Sequence, residues 1–356
     1  MISLNTKLSE LFNIDYPIVQ AGMAGGPTTV ELVSSVSEAG GMGTLGAAYM
    51  KPEELRKAIE HIKSLTDKPF GVNIFTAHMK DDFARLEEVQ QALSPFRSAL
   101  EITEIQTSYA SPDWSGEQFN LCMELEVPVI STAFGCLKES QMKEAKRKGI
   151  KVITMVTTVA EAQEAEEAGV DAIVAQGSEA GGHRGTFSLA KHSQGAQIGT
   201  MSLVPQIVDA VAVPVIAAGG IADGRGLVAS LALGASGVQI GTRFLTAQES
   251  GTHPAYKKAI FNSNEESTVL TKSFSGRPAR GINNLFIEEF EKSGTIPLPF
   301  PSQNTITKDI RSMAAQKGDS RFMSLWAGQN TRMLKQEERA EEIIRSIMEE
   351  AKGICH

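Results

Sequence analysis

Two stretches decide the fold: Val213–Gly224, V-P-V-I-A-A-G-G-I-A-D-G, and Gly237–Arg243, G-V-Q-I-G-T-R. Each opens with a short apolar, partly β-branched run that is too brief for a helix and reaches glycine at its end. The same unit recurs along the chain. Pro17–Gln20, Gly41–Gly46, Phe70–Phe75, Val127–Thr132, Lys151–Met155, Asp171–Gln176, Val213–Ala218 and Gly237–Gly241 read as eight strands. Pro52–Leu65, Ser140–Lys148, Val159–Ala168, Ser202–Ala210 and Gly224–Leu233 read as helices between them. In Pro52–Leu65, Pro and two Glu open the helix, and Leu55, Ile59, Ile62 and Leu65 share one face. Near-continuous apolar strands joined by helical crossovers indicate a parallel sheet covered on both faces. Eight βα units in this length predict an α/β fold, a TIM (β/α)8 barrel, over an open doubly wound sheet.

Two long gaps interrupt the rhythm, at residues 76–126 and 177–212. The first carries a helix-like Asp81–Leu93 and a loop with Trp114. Long βα loops lie on the C-terminal face of a barrel, where active sites are built. About 115 residues follow the eighth strand, more than one helix can use. Thr268–Phe274 reads as a strand, residues 275–284 (SGRPARGINN) as a turn-rich loop and Glu337–Lys352 as a terminal solvated helix. The expected division is a barrel over residues 1–250 and a smaller C-terminal cap over 251–356, its last segments packing back on the barrel.

The composition excludes several classes. With 34 basic and 42 acidic side chains the formal charge is −8, which argues against a general nucleic-acid or membrane-surface binder. Cys122, Cys136 and Cys355 have neither CxxC spacing nor a histidine at ligand spacing, so no disulfide framework and no metal site are expected. The N-terminus lacks a signal-peptide core and no long apolar stretch follows, so a cytoplasmic location and no membrane span are expected. The pattern leaves the oligomeric state open.

The motifs then place the chemistry. G41-M-G43-T-L-G46 matches GxGxxG, but its glycines fall inside a strand and the next helix waits until Pro52, so close packing is the better reading. Gly219 and Gly220 end the seventh strand and Gly241 the eighth. Barrels commonly bind a cofactor phosphate there, where glycines let backbone N–H groups and a helix N-terminus reach the anion; tight strand termination is the alternative. Q176-G-S-E-A-G181-G182-H183-R184-G185 ends the sixth strand. His183, set among glycines on the expected catalytic face, reads as a functional imidazole, a natural base near neutral pH. Arg184 is an anion partner or a loop-anchoring ion pair. His61, His78, His192, His253 and His356 form no HxxxH or HxH pair and read as bland. Q20-A-G22-M23 and G71-V-N73 offer amide or backbone groups for the polar edge of a planar ring, although Asn at a strand end is also a turn former. No GxSxG elbow, Walker loop or paired-carboxylate motif supports a hydrolase or kinase.

From Tyr16 to about Gln329 these residues resemble the nitronate monooxygenase family, formerly called 2-nitropropane dioxygenases, and its bacterial class I branch in particular. The resemblance is carried by PIVQAGMAGG, SEAGGMGTLGAAYM, FGVNIF, DAIVAQGSEAGGHRGTF, VPVIAAGGIADGRG, GVQIGTRFL, FSGRPARGINN and LWAGQ. It implies an FMN-containing TIM barrel with an added domain that oxidises nitronates with O2 to a carbonyl compound and nitrite, neutral nitroalkanes being a further class of substrate. It implies FMN contacts at Gly22, Met23, Asn73, Gln176, Gly181, Gly219, Gln239, Gly241 and Thr242; Gly182 and Gly220 extend that set from the glycine-rich loops themselves. His183 matches the family's active-site histidine, and Tyr256 and Gln329 look like residues that approach the substrate. Gly22 stands where many relatives have Pro. The rival expectation is an FMN-dependent NAD(P)H reductase of the enoyl-acyl-carrier-protein reductase II or quinone reductase type, which shares the barrel and the EAGGH loop.

Overall fold

The computed structural model describes residues 3–355 except 78, 105 and 107. Its strands are β1 Ile18–Gln20, β2 Gly43–Gly46, β3 Phe70–Phe75, β4 Val129–Ala133, β5 Lys151–Val156, β6 Ala172–Gln176, β7 Gly182–His183, β8 Val215–Ala218, β9 Gly237–Ile240, β10 Thr268–Thr271 and β11 Ala279–Ile282. Eight of them form one parallel sheet in the order β1-β9-β8-β6-β5-β4-β3-β2. The ring closes through the parallel bridge Val19 to Met42, with Gln20 N–H on the Met42 carbonyl at 2.9 Å. The expected TIM barrel is therefore present, with each of its eight strands at the expected place within a residue or two.

The two-residue period of a strand divides each apolar run between two cores. Val19, Met42, Val129, Ile153, Val174 and Ile216 pack together with Leu8 and Phe12 of the helix Lys7–Phe12. Their neighbours Ile18, Ile130, Val152, Ile173 and Val215 pack outward beneath the surrounding helices. Full burial of each such side chain contributes roughly 1.5–3 kcal/mol, so both faces of the sheet help to hold the ring. The GxGxxG match is a consequence of this packing: a Cβ on Gly43 would lie 2.1 Å from the Val33 carbonyl oxygen, and one on Gly46 2.4 Å from the Met23 carbonyl carbon.

The C-terminal helix is Ala340–Cys355, and it is not the solvated helix expected. Ile343, Ile344, Ile347, Met348 and Ala351 are buried in the outer barrel core, against the helices Gly224–Ala232 and Val30–Glu38. Its charged residues occupy only the other face, as the amphipathic period allows. A Cβ on Gly224 would meet the Ala351 backbone nitrogen at 2.5 Å, so that glycine serves helix packing.

A second hydrophobic cluster lies outside the barrel. It joins Tyr256, Phe274, Phe286, Phe290, Ile310 and Leu325 to Val89, Leu93, Phe96 and Leu100 of the first long gap. The helix there is Leu86–Ala99, not Asp81–Leu93. Asp81 is held elsewhere: its carboxylate accepts from the Ser111 amide at 2.8 Å and from Ser302 Oγ at 3.1 Å. The expected strand Thr268–Phe274 is shorter, and the stretch read as a loop contains β11. β11 pairs antiparallel with β10 on one side and with β7 on the other, Ala279 opposite His183. A short sheet thus ties the loop after β6 to the outer cluster.

Candidate active site

A cavity of about 480 Å³ opens at the C-terminal ends of the barrel strands. Gly22, Met23, Asn73, Gln176, Gly181, Gly182 and His183 line it. So do Gly219, Gly220, Gln239, Gly241, Thr242 and Tyr256. Gln329 does not; its backbone N–H bonds the Glu179 carbonyl at 3.1 Å. Its neighbour Gly328 reaches the cavity instead, and donates its N–H to Thr242 Oγ1 at 3.0 Å.

One wall is backbone. Gly219 and Gly220 have φ of 111° and 69°, a region in which side chains are strained. Among the described residues, the N–H groups of Gly219, Gly220, Gly241 and Thr242 have no protein acceptor. Successive unpaired N–H groups around a concavity form an anion cradle. The helix N-terminus expected to share this task is occupied: Asp223 accepts from the Gly226 N–H at 3.1 Å, and Glu350 from the Gly224 N–H at 2.8 Å. Arg243 is also engaged away from the cradle, with the Ala222 carbonyl at 2.7 Å, Glu338 at 3.1 Å and Ser346 at 2.9 Å.

The amides read as ring contacts behave differently from one another. Asn73 donates to Ser131 Oγ at 2.7 Å, and a Cβ on Gly22 would stand 2.6 Å from the Asn73 Cβ, which locks their approach. Gln176 grips the loop beyond it, donating from Nε2 to the His183 carbonyl at 2.9 Å and accepting the Gly185 N–H at 2.8 Å. Gln20 is fully buried and bonded within the barrel to the Thr44 N–H at 3.0 Å. Arg184 is fully buried and, among the described residues, pairs with no carboxylate: it donates to the carbonyls of Gly177 at 2.7 Å, Gln176 at 2.8 Å and Ala196 at 3.3 Å. It anchors the loop by hydrogen bonds rather than by the ion pair expected.

Another part of the lining is built of side chains. Around His183 stand Trp326, Phe134 and Phe300, with ring centroids 5.4, 6.0 and 6.3 Å away. Phe134 adopts φ 75°, strained for a non-glycine residue, at the exit of β4. The Arg277 guanidinium lies 3.9 Å from its ring centroid, a cation–π arrangement. Arg311 lines the cavity from the helix Lys308–Lys317; its Nε, like that of Arg277, is buried without a partner. Burial, then the charges of Arg277 and Arg311, push His183 down from 6.5 to about 3, so its imidazole is neutral near pH 7. Tyr256 donates its hydroxyl to the Trp326 carbonyl, and burial raises its pKa, which leaves it a protonated, committed donor. His253, read as bland, also lines the cavity, but its Nδ1 is occupied by the Ala255 N–H at 3.1 Å. His78 and His356 lie outside the described residues. Among the described residues no cluster of three or more His, Cys, Asp or Glu could hold a metal, and no helix is long and apolar enough to cross a membrane.

Comparison with known proteins gives this geometry a family. The family model described as nitronate monooxygenase matches residues 5–350. A "Probable nitronate monooxygenase" of Staphylococcus aureus (strain MSSA476) is 46% identical over 329 residues, 92% of each chain. Among solved structures, nitroalkane oxidase from Streptomyces ansochromogenes superposes with TM-score 0.90 at 36% identity, covering 98% of this chain and 99% of that one. FabK from Thermotoga maritima superposes with TM-score 0.79 at 33% identity, covering 99% and 98%. A closed (β/α)8 barrel, a neutral histidine in a glycine-lined cavity and a match along nearly the whole length agree: the chain belongs to the nitronate monooxygenase family of flavin-dependent oxidoreductases.

Proposed function

We propose that the protein binds FMN and oxidises nitronates with O2 to a carbonyl compound and nitrite, accepting neutral nitroalkanes as well. The observation that carries this reading is the two-sided cavity, with unpaired glycine N–H groups on one wall and a neutral imidazole on the other. The first wall fits the cofactor: the amides of Gly219, Gly220, Gly241 and Thr242 would hold its phosphate, and Asn73, Gln176 and Gln239 would lie along its ring. FMN supplies one-electron transfer, which couples a closed-shell substrate to oxygen.

The chain's own part is placement and proton control. His183 orients the nitronate or removes the α-proton of a neutral nitroalkane. The Arg311 guanidinium that disfavours a proton on His183 favours negative charge on the nitro oxygens as that proton leaves, so one cation acts on both partners of the transfer. The aromatic side chains exclude water around the reacting carbon, and Tyr256 and the segment around Gln329 border the substrate space. Mass analysis of the flavin released from purified protein, with oxygen uptake and nitrite release on a nitronate panel, tests the reading. Released FAD, or FMN without nitrite formation from any nitronate, overturns it.

The likeness to FabK keeps an FMN-dependent NAD(P)H reductase as the second reading. It predicts oxygen-independent reduction of an unsaturated acyl or quinone substrate at the expense of NAD(P)H.

A further inference from the structure

His183 has two ring nitrogens, and a neutral imidazole accepts a proton through only one of them. Its Nε2 lies 2.9 Å from Ser275 Oγ. The Ser275 side chain is fully buried, so its hydrogen-bonding capacity can be accounted for. A hydroxyl offers one donor and two acceptor positions. Ser275 Oγ lies 3.0 Å from the Arg277 carbonyl, which can only accept, and receives the Arg277 N–H at 3.3 Å. With its one proton on that carbonyl, Ser275 has only an acceptor left for the imidazole. The reverse arrangement, Ser275 donating to Nε2, would remove the proton from the Arg277 carbonyl.

We propose that Ser275 is a positioning residue that fixes neutral His183 as its Nε2–H tautomer, leaving the Nδ1 lone pair to receive the substrate α-proton. The supporting shell is rigid. β11 pairs with β7 so that Ala279 stands opposite His183, and the Arg184 N–H bonds the Pro278 carbonyl at 2.8 Å. The ring is further bounded by Phe134, Phe300 and Trp326. The charged groups that act on the ring are Arg277, from the turn before β11, and Arg311, from the helix Lys308–Lys317; both oppose a second ring proton, so the transfer depends on the negative charge that develops on the nitro group to offset them. The proton-accepting role of Nδ1 rests on the proposed function; the tautomer itself does not.

The test separates the two. Nitrogen NMR of the flavin-loaded protein with isotope-labelled histidine, assigned by the His183→Asn spectrum, should show Nε2 protonated and Nδ1 bare near pH 7. Ser275→Ala should lose that single tautomer, and Ser275→Thr should regain it. On a neutral nitroalkane, Ser275→Ala should lower kcat about tenfold, the size of one hydrogen bond, with KM nearly unchanged, and Ser275→Thr should rescue it. Nitronate turnover should fall by less than nitroalkane turnover, since no α-proton remains to be removed and only the orienting contact is disturbed. A wild-type ring protonated on Nδ1, or a mixture of tautomers, overturns the proposal, as does a Ser275→Ala protein with wild-type tautomer and kcat. Equal losses on both substrates with weakened flavin binding would assign Ser275 to packing alone and also overturn it. If neither substrate is turned over, the proposed function fails while the spectrum still decides the tautomer.

Discussion

The two walls of the cavity use opposite means. The barrel wall at the ends of β8 and β9 presents backbone: Gly219 and Gly220 hold left-handed φ values, and their N–H groups are unpaired among the described residues. The rest of the lining presents side chains from distant segments: Phe134 from the exit of β4, His183 from β7, and Arg311 and Trp326 from the long stretch after β9. Backbone recognition of an anion depends on left-handed φ values that side chains strain, and asks little of sequence beyond glycine. Side-chain recognition depends on rotamers held by packing across about two hundred residues of chain. Substitutions on the first wall should therefore abolish cofactor retention, and those on the second should divide one substrate or one kinetic constant from another.

The largest effect is expected on the backbone wall. Gly220→Asp has room for its Cβ, 3.4 Å from the Glu179 Cβ, but brings a carboxylate and a strained φ to the cradle. FMN affinity should fall by about 100-fold or more, read by equilibrium titration of flavin fluorescence. Unchanged affinity in a folded variant would place the phosphate elsewhere. On the other wall, His183→Asn keeps a hydrogen-bond donor and loses the base. Flavin should be retained, nitroalkane kcat/KM lost by about 100-fold or more, and nitronate turnover reduced much less. Equal losses would assign His183 to binding common to both substrates. Arg311→Met should raise the KM for a nitronate about tenfold with less change in kcat, as for a lost charge-assisted contact, with Arg311→Lys intermediate. A wild-type KM would remove Arg311 from substrate binding.

A last difference is one of acid sensitivity, read in stability rather than in binding or turnover. The folded His183 is held at about 3, below its ordinary 6.5, so between these values the unfolded chain takes up a proton that the native ring does not. Stability is thereby lost as pH falls through that window, by up to about 1.4 kcal/mol per pH unit for one proton. Denaturant titrations of wild type and His183→Asn from pH 7 to 4 should show the shallower decline in the variant. Parallel curves would mean that the ring is not held neutral.

The same contrast explains what could be read from sequence. Parallel strands buried on both faces are continuous apolar runs, so the eight barrel strands and the glycines that end β8 and β9 stand out. β11 does not, because Ala279–Ile282 has no alternating pattern and its register depends on a two-residue partner, Gly182–His183. Phe134 and Phe300 sit in no motif, Trp326 stands in the LWAGQ block with nothing to mark it as a neighbour of His183, and Arg311 lies in a helix whose charged residues resemble those of any solvated face. His183 was legible through its glycines, whereas the Ser275 hydroxyl that meets it opens a turn-rich stretch 92 residues away, where a serine reads as a turn former. The buried face of Ala340–Cys355 followed the helical period, but only the partner helices show which surface it covers.

The central claim, that the flavin takes electrons from a nitronate and not from a nicotinamide, is tested most directly by anaerobic stopped-flow mixing of the purified, FMN-loaded protein. Bleaching of the flavin absorbance by a nitronate, with no comparable bleaching by NADH or NADPH, is the result predicted. Rapid reduction by NADH or NADPH, with none by any nitronate, would contradict the account and make the protein a reductase.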